Sequence, residues 1–269
     1  MTTERVCLLE KRDRIARITL NRPDRLNALN RDLELALIEA IHDVAKDDSV
    51  NVVILTGNGR AFCSGGDVSG LGGARTGTGY QSEVIDDIRR NFAHAQEIVL
   101  GIQRMEKPTI AMVNGIASGA GMDIACACDI RTGCDKTRFM SAYIRIGLFP
   151  GWGGAWLYPR VMGVPKAAEF MFTGDFLEAD EAHRIGMLNK LVPQDQLESA
   201  TMELARKIAN GPPIALRLAK LNLYKGLEID LETAMKFAAA SETITLTSQD
   251  HREGTAAFRE KRAPKYQGK

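Results

Sequence analysis

The stretch NVVILTG, residues 51–57, constrains this chain more than any other. It is a continuous apolar, largely β-branched run with no polar alternation, which is the signature of a strand buried on both faces. KPTIAMVNG (107–115) and DIRTGC (129–134) read as further short strands. Helical periodicity separates them, from Asp32 to Lys46, from about Val84 to Met105, and from Gly119 to Cys128. Strands alternating with helices predict an α/β core with mostly parallel pairing. Upstream, residues 5–10 and 14–21 read as two strands around a charged turn at Lys11–Asp13, with RIARITLN alternating at period two.

The chain has 269 residues, long for one domain and short for two. From about residue 195 the texture becomes helical throughout, punctuated by Gly211-Pro212-Pro213. We therefore divide the chain into a core, 1–195, and a helical region, 196–269. The second is too small for a strong core of its own and is expected to pack on the first, on a partner subunit, or on both. Gly70–Gly79 lacks periodicity and reads as a mobile loop.

A net charge of +1 gives no broad field for nucleic acid or an anionic membrane, so an anionic ligand must be held by local donors. The N-terminus lacks the apolar core of a signal peptide, and no apolar run approaches the roughly 20 residues that span a bilayer. A cytoplasmic location with reduced thiols is expected. The five cysteines and four histidines have no metal-ligand spacing, and Cys126 and Cys128 read as small core residues. No metal or separate cofactor is expected.

Two glycine-containing turns each lead from a strand towards a helix: AFCSGGD (61–67) and NGIASGAGMDIA (114–125). Small residues let a ligand approach the backbone there, and helix N-termini present unpaired N–H groups. Two such groups from separate loops could hold a thioester oxygen as it gains charge. Spacing alone also permits tight packing as their purpose. Neither turn is a Walker loop or a dinucleotide fingerprint.

Together these pieces resemble the crotonase (enoyl-CoA hydratase/isomerase) superfamily over nearly the whole chain. The resemblance is carried by NRPDRLNALN (21–30), LTGNGRAFCSGGDV (55–68), KPTIAMVNGIASGAGMDIACACDIR (107–131), FPGWGG (149–154), TGDFLEADEAHRIGMLNKLVP (173–193) and FREKRAPKYQG (258–268), in the family's order. It implies a spiral of ββα turns with a helical C-terminal trimerisation region, assembled as a homotrimer or a dimer of trimers. It further implies an acyl-CoA thioester substrate and oxyanion donors at the N–H groups of Gly66 and Ala120. Ala120 replaces the usual glycine, and the backbone donor survives that change. CoA contacts would fall at Arg25, Leu26, Ala28, Ser64, Asp67 and Val68, with Phe258 and Lys261 reaching CoA from the tail, often across subunits. Without the resemblance, Phe258 reads equally as a core contact and Lys261 as a surface residue.

The family's hydratases place two glutamates over the substrate. Alignment puts Asp123 and Tyr143 at those positions. Only about one tyrosine in a thousand is ionised at pH 7, so Tyr143 suits proton or hydrogen-bond donation better than base catalysis. Asp123 retains a base, one methylene shorter than glutamate. The bland readings are a space-filling Tyr143 and an Asp123 on the helix surface or at its cap. Trp152 would wall the acyl pocket or simply pack its loop. Tyr80, Glu83, Asp86 and Asp87 lie in a segment from which another acid could enter. Enoyl-CoA hydratase is the leading activity. The alternatives are a decarboxylase, isomerase or C–C-cleaving hydrolase using Tyr143, or a non-catalytic acyl-CoA-binding subunit.

Overall fold

The structure is a computed structural model that describes residues 5–67 and 82–269. A six-stranded sheet runs in the order β1 (Cys7–Arg12), β2 (Ile15–Leu20), β3 (Val52–Gly57), β5 (Thr109–Val113), β7 (Ile130–Cys134), β10 (Lys190–Val192). β1 and β2 are antiparallel and the remaining pairs parallel. Every residue of β3 is buried, as its unbroken apolar run requires. The turn expected at Lys11–Asp13 falls instead on Asp13 and Arg14, whose φ angles are 52° and 63°. Two consecutive left-handed residues match the twist of a two-residue hairpin, so β1 continues through Arg12.

A second sheet of four three-residue strands runs β4 (Ala61–Cys63), β6 (Ile116–Ser118), β8 (Arg138–Met140), β9 (Phe176–Glu178). Strands so short carry too little alternation to be seen in the sequence. β3, β5 and β7 each hand the chain to β4, β6 and β8 in turn. Helices then follow: α2 (Ser82–Arg104) after β4, α3 (Ala120–Ala127) after β6, and α4 (Gly154–Met162) after β8. Both sheets thus gain strands in the same order, which is a spiral of ββα turns.

Helix α1 (Arg31–Lys46) starts at Asn30, whose side chain accepts from the Leu33 N–H, and buries Leu33, Leu37, Ile41 and Val44 in the main core. In the helical region, α7 (Leu197–Ala209) seats Leu197, Ala205 and Ala209 against Ile15, Val52, Ile54 and Ile110 of the larger sheet. The next helix, α8 (Pro213–Gly226), is tied to the core through Lys220 and Tyr224. No residue of α9 (Leu231–Thr247) is buried, and Leu231, Met235 and Phe237 stand exposed on it. Among the described residues no helix is long and apolar enough to cross a membrane.

Candidate active site

The site begins with the pairing of β4 and β6. Cys63 lies opposite Ala117, so the turns that follow these strands emerge side by side. Gly65 (φ 103°) and Gly119 (φ 51°) take backbone conformations that favour glycine. A Cβ on Gly65 would stand 2.9 Å from the Ser118 carbonyl oxygen and 3.7 Å from the Ala120 nitrogen, so the two backbones nearly touch. Among the described residues a Cβ on Gly66 would meet nothing within 4 Å. Leu29 bridges this loop through the Gly65 carbonyl and the Asp67 N–H, and the Gly66 N–H takes no part. Ala120 opens α3, where first-turn N–H groups have no intrahelical acceptor. Among the described residues both expected oxyanion donors are free.

Five of the expected CoA contacts, Arg25, Leu26, Ala28, Ser64 and Asp67, form one connected patch. Arg25 ends a single 3-10 turn, and Leu26 (φ 51°) and Asn27 (φ 56°) follow in left-handed conformation. Fully buried Asn27 holds that strained geometry: its amide donates to the carbonyls of Asn58 (2.9 Å) and Ala61 (2.8 Å), and its Oδ1 accepts from the Arg22 N–H (2.9 Å). Ala28 donates to the Arg25 carbonyl and Ser64 to that of Leu26. The Arg22 guanidinium donates to the Ala28 carbonyl and pairs with Asp67 at 3.1 Å. Sequence reasoning passed over Arg22 and Asn27, although asparagine is the side chain best suited to a left-handed site. Val68 and Tyr80 lie outside the described residues, as do Gly70–Gly79 and the side chains of Glu83, Asp86 and Asp87.

Beside the turn that carries the expected donor Ala120 stand Asp123 and Tyr143. Asp123, on the first turn of α3, is fully buried, so it is neither a surface residue nor a cap. Its Oδ2 accepts a 2.6 Å hydrogen bond from the Tyr143 hydroxyl. Tyr143 is half-buried on the 3-10 turn Ala142–Ile146, and its ring lies 3.8 Å from where a Gly119 Cβ would be. Burial pushes the Asp123 carboxyl up to about 6, and the hydroxyls of Tyr143 and Tyr158 hold it from rising further. Burial first, and the Asp123 charge second, push the Tyr143 phenol far above its ordinary value, so it remains a donor.

Tyr158, on α4, was not anticipated. It is fully buried and packs edge-to-face on Phe170 with ring centres 5.7 Å apart. Its hydroxyl and the Oδ1 of Asp123 have no hydrogen-bond partner among the described residues. A Cβ on Gly154 would lie 2.7 Å from Tyr158 Cζ and 2.8 Å from Asp123 Oδ1, which explains the final glycine of PGWGG. That glycine, one helical turn before a tyrosine, was the available sequence signal.

Trp152 is buried in the main core, Phe258 on α10 (Gln249–Glu260) is 86% exposed, and Lys261 is exposed just beyond that helix. A groove of about 740 Å³ runs between α2, α4, α8 and α9, lined in part by Trp156, Leu157, Leu221 and Ile244, and it includes neither Asp123 nor Tyr143. All five cysteines are free, with Cys126 and Cys128 buried in the core, and no metal-binding cluster of His, Cys, Asp or Glu occurs among the described residues.

Comparison with known proteins places this geometry. The family model for enoyl-CoA hydratase/isomerase matches residues 10–269. The chain is 34% identical to a crotonyl-CoA hydratase of Syntrophomonas wolfei, over 95% of each protein. It is also 34% identical to a 1,2-epoxyphenylacetyl-CoA isomerase of Escherichia coli, over 94% of each. The crystal structure of an enoyl-CoA hydratase from Bacillus anthracis superposes with a TM-score of 0.91 at 30% identity, covering 98% of this chain and all of that one. Motif order and the ββα spiral agree with these matches: the chain belongs to the enoyl-CoA hydratase/isomerase family.

Proposed function

We propose that this enzyme adds water across the α,β double bond of an enoyl-CoA, as a lyase of the hydratase type. The observation that carries the reading is the placement of the Asp123–Tyr143 pair beside two free backbone N–H groups. The thioester oxygen would accept from the N–H groups of Gly66 and Ala120. Ionised Asp123 would take one proton from water as its oxygen bonds to Cβ, and the π electrons would move to the thioester oxygen as an enolate. Asp123, now protonated, would return that proton to Cα, so one carboxyl serves both steps and water is consumed whole. Tyr143, by donating to Oδ2, would orient the carboxyl between the steps. The CoA moiety is part of the substrate, and this chemistry calls for no metal or separate cofactor.

Crotonyl-CoA is the first substrate to offer. Hydration that survives Tyr143→Phe and is lost in Asp123→Asn supports the reading, and no hydration by the purified protein removes it. A second reading has Tyr143 protonate an enolate released by decarboxylation, isomerisation or C–C cleavage. It is favoured by the partial exposure of Tyr143 beside the oxyanion turn, while Asp123 is wholly enclosed. Turnover of carboxylated or cyclic CoA esters that depends on Tyr143 would establish it.

The exposed apolar residues of α8 and α9 suit burial against other copies, and we propose a homotrimer or dimer of trimers in which α10 lends Phe258 and Lys261 to a neighbour's CoA. Light scattering that gives a monomer would refute that assembly. A cytoplasmic setting is part of the same proposal.

A further inference from the structure

Asp123 has two carboxylate oxygens in different circumstances. Oδ2 is held by Tyr143, and Oδ1 is buried without a partner among the described residues. Tyr158 carries the complementary deficit, a buried hydroxyl proton with no acceptor. The two groups converge on Gly154: a single point, where its Cβ would be, is 2.8 Å from Oδ1 and 2.7 Å from the carbon bearing the Tyr158 hydroxyl. Any side chain at 154 would collide with both. An isolated buried donor and an isolated buried acceptor are each costly, and here each could satisfy the other.

We propose that Tyr158 is a positioning residue of this site: its hydroxyl serves Oδ1 as Tyr143 serves Oδ2, so one carboxyl is held between two phenols. The two phenols then differ in role. Tyr143 is half-buried, its ring set against the Gly119 turn that leads into Ala120. Tyr158 is enclosed, its ring braced by Phe170, and reaches the reaction only through Asp123. A donor behind the carboxylate stabilises its charged form in a setting where burial opposes charge. The hydroxyl is near enough to offset part of the burial effect on Asp123. The titratable groups around the carboxyl, among the described residues, are Tyr143 and Tyr158, then Cys126 on the same helix, with Cys63 behind Tyr143. None is basic, so no positive charge on these groups stands in for the phenols.

The inference deepens the acid–base role proposed for Asp123, and its test reads that carboxyl without requiring turnover. Infrared difference spectra would follow the protonated carboxyl band of the full-length protein against pH, assigned by its absence in Asp123→Asn. Tyr158→Phe keeps the ring and its packing on Phe170 and removes only the hydroxyl. The expected result is an Asp123 midpoint raised by about one pH unit, the size of one lost hydrogen bond to a charged group. The ascending limb of kcat/KM would move by the same amount, with KM little changed. An unmoved midpoint overturns the proposal, even if activity falls, because a merely structural tyrosine would lower the rate at every pH alike. Incorporating 3-fluorotyrosine at 158 provides a second test that preserves shape. Its more acidic hydroxyl is expected to lower the midpoint, and a midpoint that stays or rises counts against the idea. Failure to hydrate crotonyl-CoA would remove the hydratase reading and leave this result standing.

Discussion

Two aspartates, one inside a short helix and one just past its end, have opposite fates. Asp123 lies within α3, and Asp129 lies just past its end. Each accepts from a tyrosine hydroxyl, Tyr143 at 2.6 Å and Tyr224 at 2.7 Å. Asp129 is also satisfied on every side: it takes the Thr109 N–H at 2.7 Å and hydroxyl at 2.9 Å, and it pairs with Lys220 at 2.8 Å. Among the described residues no cation acts on Asp123, and its second oxygen has no hydrogen-bond partner. A fully paired carboxylate is a fastener, here clamping α8 to the core. One that is buried and under-paired stays near the protonation midpoint that catalysis needs. Resemblance of local chemistry, Asp beside Tyr, is therefore a poor guide to role, and the count of remaining partners is a better one.

Exchanging each aspartate for asparagine tests this contrast most severely. Asp123→Asn is expected to lower kcat/KM for crotonyl-CoA by about 100- to 10,000-fold, the range of a lost general acid–base group. Asp129→Asn should leave kcat within a few-fold and lower the unfolding midpoint instead. Equal kinetic losses in steady-state assays would erase the distinction.

Breaking the fastener from its other side is expected to be nearly as large, in stability rather than rate. Lys220→Met removes one partner of a largely buried pair, for which a cost of about 3–5 kcal/mol is expected in urea unfolding. A loss under about 1 kcal/mol would mark the pair as no stronger than a surface salt bridge.

The third effect concerns pH. Folding raises the Asp123 carboxyl from its ordinary 3.8 to about 6, so the folded state binds this proton more tightly than the unfolded chain. That group imposes no penalty below pH 4. It progressively destabilises the fold as pH climbs to about 6, and the loss then levels off at up to about 3 kcal/mol. Unfolding free energies of wild type and Asp123→Asn should therefore converge at low pH, with the variant gaining relative stability towards neutrality. Parallel curves across pH 4–7 would contradict the raised carboxyl.

Much of this was legible in the sequence, and for identifiable reasons. The unbroken run of β3 announced a covered parallel sheet, and helical periodicity placed α1, α2 and α3 to within a few residues. The turn at Asp13–Arg14 was displaced because charge marks a turn without fixing which two residues take positive φ. The second sheet went unseen because three residues hold barely one alternation. Resemblance to the family's motifs pointed to Gly66, Ala120, Asp123 and Tyr143, since identity at a motif position can be read from residue type alone.

Residue order by itself determined the fold class, the two glycine turns and the Asp/Tyr pair, because each depends on local conformation or on identity at a motif position. Tertiary structure alone decided which turns adjoin, through the β4–β6 pairing, and which aspartate is left under-satisfied. It also brought Tyr158 to Asp123, a meeting of α4 with α3 across Gly154 that neither segment encodes. Hydrogen-bond completeness is a property of everything packed around a group, so it exists only once the chain has closed around it.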